Sequence, residues 1–310
     1  MGEYSELPSK TLFITLDQPY YRPGDVIHGQ VALNLQREMK ARNIEIEFHA
    51  FEYAAVTRGS GKHRHTYIEH RDIIKQIASL WSCAEGETLG PCSKEFPFEL
   101  TIPENALRSL YTPFDFMLPE YARDIGIRRT IRDYPYTGTI RYRLKVKLDK
   151  PMAIDPKDKT FLDVLPLPVQ GIEKTWQEYE EIAPSGETGI FASILGNTFT
   201  PGERIQGTFK VVRDSTVDIR SISATLRFKY SYTAKRRTDM FKQRIDYHSW
   251  PDNPGAREMS FDISLIVPEG IPFSVDGHLV KIAWELDIKL DLPMKRDKHL
   301  RIPITIGPKG

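Results

Sequence analysis

The sequence predicts an all-β protein made of two antiparallel β-sandwich domains in tandem. Three observations predict it. Short apolar runs alternate with polar residues at period two, long helical periodicity is nearly absent, and three short patterns each occur twice in the same order. Successive side chains of a strand face opposite sides, so this alternation gives each strand one buried and one wetted face. Repeated short strands punctuated by 22 prolines and 20 glycines are the pattern of such sandwiches. A chain of 310 residues holds two domains, each long enough to bury a core.

The predicted strands, in order, are 12–16, 26–35, 44–56, 96–102, 139–149, 161–165, 189–195, 204–212, 221–234, 261–267, 278–290 and 300–306. The run Arg141-Tyr142-Arg143-Leu144-Lys145-Val146-Lys147-Leu148 shows the rule plainly, with charges on odd positions and apolar groups on even ones. The stretch 280–290 repeats it with Lys281, Asp287 and Lys289, and less regularly Glu285, on the polar side. Residues 71–81 fit a short helix or a strand. Residues 175–182 read as a helix, since Thr175 and Glu178 have capping-box spacing.

The internal repeat organises the chain. Tyr21-Arg22-Pro23-Gly24-Asp25-Val26-Ile27-His28-Gly29 matches Phe199-Thr200-Pro201-Gly202-Glu203-Arg204-Ile205-Gln206-Gly207. Proline fixes φ at the second turn position and glycine admits a positive φ at the third, which specifies a type II turn. Ile102-Pro103-Glu104 is echoed by Val267-Pro268-Glu269, and Lys147-Leu148-Asp149-Lys150-Pro151 by Lys289-Leu290-Asp291-Leu292-Pro293. Three collinear matches point to duplicated domains. The expected boundaries are residues 1–168 for the first domain, with an insertion at 105–138, then a linker at 169–188 and the second domain at 189–310.

Composition removes several classes. Lys plus Arg number 43 against 42 Asp plus Glu, a net charge of +1, so no global field draws the chain to nucleic acid or membrane. Two cysteines make neither a disulfide scaffold nor a four-cysteine zinc site. Cys83 and Cys92 flank a turn-rich loop and either approach across a hairpin or remain two thiols, as a reducing compartment favours. The N-terminal stretch has no secretory pattern, and no apolar run approaches the ~18 residues of a membrane span. Glu6 stands where a myristoylation signal has Ser or Thr. A cytoplasmic location, peripheral at membranes, is expected.

These motifs resemble the arrestin-fold superfamily. The resemblance rests on Tyr21–Val31 after a first strand, on 44–50, on Phe96-Pro97-Phe98-Glu99-Leu100, on 140–148, and on their return in the second half. It is nearest to arrestin-domain-containing proteins (α-arrestins) and microbial arrestin-like proteins. It implies two immunoglobulin-like sandwiches of arrestin type, and adaptor work on the cytoplasmic parts of membrane proteins. Some family devices are not matched. Lys159 and Thr160 stand where the buried charge network of visual and β-arrestins would place an arginine. Leu118-Pro119-Glu120-Tyr121 is only a degenerate form of the α-arrestin ligase-binding motif. The sequence ends at Gly310, just after the last predicted strand, so tail-borne motifs are not expected.

No Gly-rich phosphate loop, nucleophile elbow or zincin motif is present, so enzyme activity and a cofactor are not expected. His63 and His65 would share a strand face and, with Glu69 and His70, form a metal candidate; the preceding Gly59-Ser60-Gly61 reads instead as a hairpin tip facing water. Two basic stretches are candidate anion, phosphate or membrane faces. One runs from Arg220 to Asp246 and offers Lys235, Arg236, Arg237, Lys242 and Arg244, with Arg227 and Lys229 in the same run. The other offers Arg128, Arg129 and Arg132. Equally, both are solvent faces of amphipathic strands. In the insertion, Tyr111, Phe114, Phe116, Met117 and Leu118 form an apolar contact candidate that either meets a partner or folds back on its own sandwich. Tyrosines interleave the basic stretches, but aromatics are also good strand formers, and no nucleic-acid partner is expected.

The expected function is a non-catalytic adaptor or scaffold in trafficking or signalling. Its partner would be the cytoplasmic part of a membrane protein or a membrane-associated trafficking protein, with an anionic membrane surface as a further partner. A structural subunit of a retromer-like coat and a metal-dependent enzyme on a β-sandwich are the alternatives.

Overall fold

The computed structural model describes residues 11–83, 88–111, 138–169, 173–186, 188–214, 216–251 and 256–310. Contacts divide the chain into two compact units. One holds the described residues within Met1–Tyr53, His70–Tyr111 and Thr139–Leu165. The other holds Ala54–Glu69, Gly138 and the described residues of Pro166–Gly310. Among the described residues no helix is long and apolar enough to cross a membrane.

In the first half, β1 (Leu12–Leu16), β3 (Val26–Leu35) and β8 (Cys92–Thr101) form a three-stranded antiparallel sheet in the order β1-β3-β8. A second sheet runs β2-β10-β9-β5-β6, from β2 (Tyr20–Tyr21), β5 (Asn43–Arg58), β6 (His65–Ser82), β9 (Gly138–Asp149) and β10 (Lys157–Val164). The short strands β4 (Met39–Lys40) and β7 (Thr88–Leu89) pair with each other. The core is made by alternate residues, as the pattern requires. Ile44, Ile46, Phe48 and Ala50 of β5, and Tyr142, Leu144, Val146 and Leu148 of β9, are fully buried.

The second half builds the same topology. Here β12 (Thr188–Leu195), β14 (Arg204–Arg213) and β17 (Glu258–Ile266) stand for β1, β3 and β8, with β11 (Trp176–Ile182) added on the outer edge of β12. Strands β13 (Thr198–Phe199), β20 (Lys298–Ile306), β19 (Val280–Asp291), β15 (Ser221–Ala234) and β16 (Arg237–Trp250) follow in the order β13-β20-β19-β15-β16, and β18 (Val275–Asp276) pairs with β19. Even the irregular pairs are copied: β2 runs parallel to β10, and β13 parallel to β20.

The duplicated turn is the same object twice. Gly24 has φ +91 and Gly202 φ +84. Asp25 donates its backbone N–H to Arg22 O at 3.0 Å, and Glu203 donates to Thr200 O at 3.1 Å. In each turn the acidic side chain accepts the N–H of the residue before proline, at 2.7 Å in both cases. A methyl on Gly29 would stand 2.6 Å from Thr15 O, and one on Gly207 would collide with Ser193 O, so both glycines admit the neighbouring strand.

The structure corrects the reading of 175–182. This segment is β11, paired with β12 from Trp176↔Leu195 to Ile182↔Gly189. Glu178, which would have closed a capping box, accepts a hydrogen bond from Ser193 Oγ at 2.7 Å instead. Pairing along an open edge outweighs a local cap signal. Residues 71–81 belong to β6, which has no buried residue and therefore no legible alternation. The 14-residue β16 is absent from the predicted strands for a related reason: it buries only Gln243.

Candidate functional site

The candidate site lies on the outer face of the sheet that contains β15, β16 and β19. Residues facing the core alternate with residues facing out, so Arg227 and Lys229 of β15, Lys242 and Arg244 of β16, and Glu285 and Asp287 of β19 share the outer face. Register then sets their neighbours. Arg227 stands opposite Arg244, and Lys229 opposite Lys242. On its other side Arg227 faces Glu285, and Thr225 faces Asp287. A shift of register between Leu226 and Arg227 marks a bulge, which re-aims the edge strand there.

Asp287 is fully buried although it points outward, because cations close over it. Arg227 Nη2 approaches its Oδ2 at 2.6 Å, His299 Nδ1 its Oδ1 at 2.9 Å, and Arg301 Nε its Oδ1 at 3.7 Å. Lys229 pairs with Glu285 Oε2. The other carboxylate oxygen of Glu285 is buried and finds no hydrogen-bond partner among the described residues. Lys242 and Arg244 are exposed. Arg244 lies over the Tyr247 ring at 4.8 Å, and Lys242 has no carboxylate partner among the described residues. The acids nearest in sequence are used elsewhere. Asp239 pairs with Arg58 at 2.5 Å, while Asp246 accepts the backbone N–H of Tyr247 and of Ile266.

The β15–β16 connection is a two-residue turn, with Ala234 opposite Arg237. Lys235 and Arg236 have φ +50 and +63, the type I′ geometry that Asn-Gly normally fills. Each non-glycine residue held there costs about 1–2 kcal/mol. Within the same compact unit the tip of the β5–β6 hairpin holds this turn. Lys235 donates its backbone N–H to Glu69 Oε2 at 2.6 Å, Arg237 stacks on Tyr67 at 3.8 Å, and Arg58 Nη2 donates to Thr238 O at 2.7 Å.

Among the proposed residues the structure thus brings Lys242 and Arg244 together on the sheet face and sets Lys235, Arg236 and Arg237 at its tip. Arg128, Arg129, Arg132, Phe114, Phe116, Met117 and Leu118 lie outside the described residues. Tyr111 is half-buried; its hydroxyl donates to Leu162 O at 3.1 Å, and burial holds its pKa above the usual tyrosine range. His63 sits in the 3-10 turn Gly61–His63 and His65 opens β6, so the two do not share a strand face as the sequence reading supposed. No group of three or more ligating side chains occurs among the described residues. Cys83 and Cys92 form no disulfide, and the Cys83 thiol donates to Ala41 O.

Sequence reasoning missed Glu285, Asp287, His299 and Arg301 as members of this cluster. Their signal is in the third echo. Lys147 aligned on Lys289 puts Glu285 and Asp287 where the first half has Arg143 and Lys145.

The fold defines a class of proteins built from two antiparallel β-sandwiches in tandem. The comparisons agree. The chain matches the N-terminal domain of arrestin (or S-antigen) over residues 12–168 and the C-terminal domain over residues 184–310. It belongs to the arrestin family, whose members are non-catalytic adaptors. Arrestin domain-containing protein A of Dictyostelium discoideum is 22% identical over 95% of the chain, and the chain spans about half the length of that relative.

Proposed function

We propose that the chain is a non-catalytic adaptor that binds anionic, phosphorylated segments of the cytoplasmic parts of membrane proteins through the outer face of β15 and β16. One observation carries the reading: Arg227 opposes Arg244, and Lys229 opposes Lys242. Like charges directly across a strand pair destabilise a sheet. The buried carboxylates of Glu285 and Asp287 offset the β15 cations, whereas Lys242 and Arg244 remain for an external anion. Their spacing is about 7 Å along the strand. That suits phosphate or carboxylate groups on an extended peptide, with guanidinium binding bidentate.

The test is binding of a doubly phosphorylated serine peptide, followed by fluorescence anisotropy at two salt concentrations. The wild type binds, and binding weakens with salt. Lys242→Glu with Arg244→Glu weakens it by at least about tenfold. Equal binding of the unphosphorylated peptide, or unchanged affinity in the double variant, removes the reading. Binding only to vesicles containing phosphatidylserine assigns the face to a membrane instead.

A further inference from the structure

The loop between β19 and β20 copies the loop between β9 and β10, and the copy has gained charge. In each, the proline that ends the third echo is followed by a left-handed methionine, with φ +53 at Met152 and +59 at Met294. Asp155 accepts the Lys150 N–H at 2.9 Å and pairs with Lys147 at 3.0 Å. Asp297 accepts the Leu292 N–H at 3.3 Å and pairs with Lys289 at 2.7 Å. The same contacts therefore close both turns, and the residues around the aspartate are not dictated by the turn. Where the first half has Ala153, Ile154 and Pro156, the second has Lys295, Arg296 and Lys298.

Those three cations line a recess of about 220 Å³ with Ser185, Thr188, Ala183, Val217 and Leu292. Thr188 is 4% exposed. Arg296 and Lys298 have no carboxylate partner among the described residues. Asp297, between them in sequence, is occupied by Lys289. Cations around a partly enclosed space with a buried hydroxyl suit an oxyanion. A guanidinium can grip two oxygens, an ammonium supplies a point charge, and a threonine hydroxyl donates.

We propose that this recess is a second anion site, which takes a phosphate-type oxyanion. It shares no residue with the β15–β16 face and does not depend on that reading. The most direct test transplants the first half's residues, Lys295→Ala with Arg296→Ile, into the full chain; a milder pair is Arg296→Gln with Lys298→Gln. Inorganic phosphate is titrated while the Thr188 amide is followed by NMR, and pelleting is measured on phosphatidylcholine vesicles with and without phosphatidic acid. A saturable shift at Thr188, weakened at least about tenfold in both variants, assigns a phosphate site. If pelleting on phosphatidic acid also drops in both variants, the anion is a lipid headgroup; if pelleting is indifferent to them, it is a soluble phosphate. No shift at Thr188 with no change in pelleting overturns the proposal, as does a shift that both variants retain.

Discussion

The two halves build one sheet twice and assign its charge to opposite strands. In the first half the cations stand on β9, and the carboxylates on β5 and β6. Arg143 donates to Glu47 at 2.8 Å and meets His49, which in turn meets Asp72 at 2.7 Å. In the second half the cations stand on β15 and the carboxylates on β19, with Arg227 on Asp287 and Lys229 on Glu285. The frames around these pairs are equivalent. Arg42 N–H donates to Asp149 O at 2.9 Å and Arg220 N–H to Asp291 O at 2.7 Å, and the same two arginines also form ion pairs with those aspartates. The swap moves the cations next to the edge strand, where Lys242 and Arg244 extend them. An unchanged backbone thus yields a balanced face in one half and a basic edge in the other.

Removing one cation from each half should separate the two networks. Arg227→Ala leaves the fully buried Asp287 without its shortest ion pair and should cost about 3 kcal/mol in urea unfolding. Arg143→Ala exposes a partly solvated Glu47 and should cost no more than about 1 kcal/mol. Equal losses would mean the two networks are not energetically distinct.

The turns give the next largest effects. Gly202→Ala should cost more than Gly24→Ala, each about 1–2 kcal/mol, because both need a positive φ but the added methyl at 202 meets the Glu269 carboxylate at 2.8 Å. Replacing Lys235-Arg236 by Asn-Gly should raise stability by about 1 kcal/mol, as the type I′ turn no longer holds two side-chain-bearing residues at positive φ. A destabilised product would show that the contacts of those side chains outweigh backbone strain.

The smallest effect concerns pH. The backbone N–H of Lys150, then Lys147, hold the Asp155 carboxyl below its usual range; Lys289, then the Leu292 N–H, do the same for Asp297. A carboxyl depressed in the folded state stabilises above its unfolded pKa, and this contribution is lost as pH falls through the folded value. Acid unfolding of Asp155→Asn and Asp297→Asn should therefore show a shallower pH dependence than the wild type, by similar amounts. A difference confined to one half would separate the two loops.

Much of the fold was legible where alternation and turn chemistry coincide. Strands β1, β3 and β15 have the bounds their patterns predict, and the Pro-Gly turns occupy equivalent places. The edge strands β6 and β16 were not legible: β6 buries nothing and β16 almost nothing, so neither carries a period. β11 was misread because Thr175 and Glu178 imitate a cap, while the open edge of β12 that captures them is a feature of tertiary structure. In the site, Lys235-Arg236-Arg237 reads as a hairpin tip from sequence alone. That Lys242 faces Lys229, or that Asp287 underlies Arg227, depends on register across three strands, which composition does not carry.

The charge swap is tested most directly by mapping amide shifts on the full chain during titration with the doubly phosphorylated peptide. Shifts at the duplicated sheets are expected to gather on Arg227, Lys229, Lys242 and Arg244, while the equivalent first-half positions around Glu47, His49 and Arg143 stay still. Shifts centred on β5 and β9, or spread equally over both sheets, would contradict it.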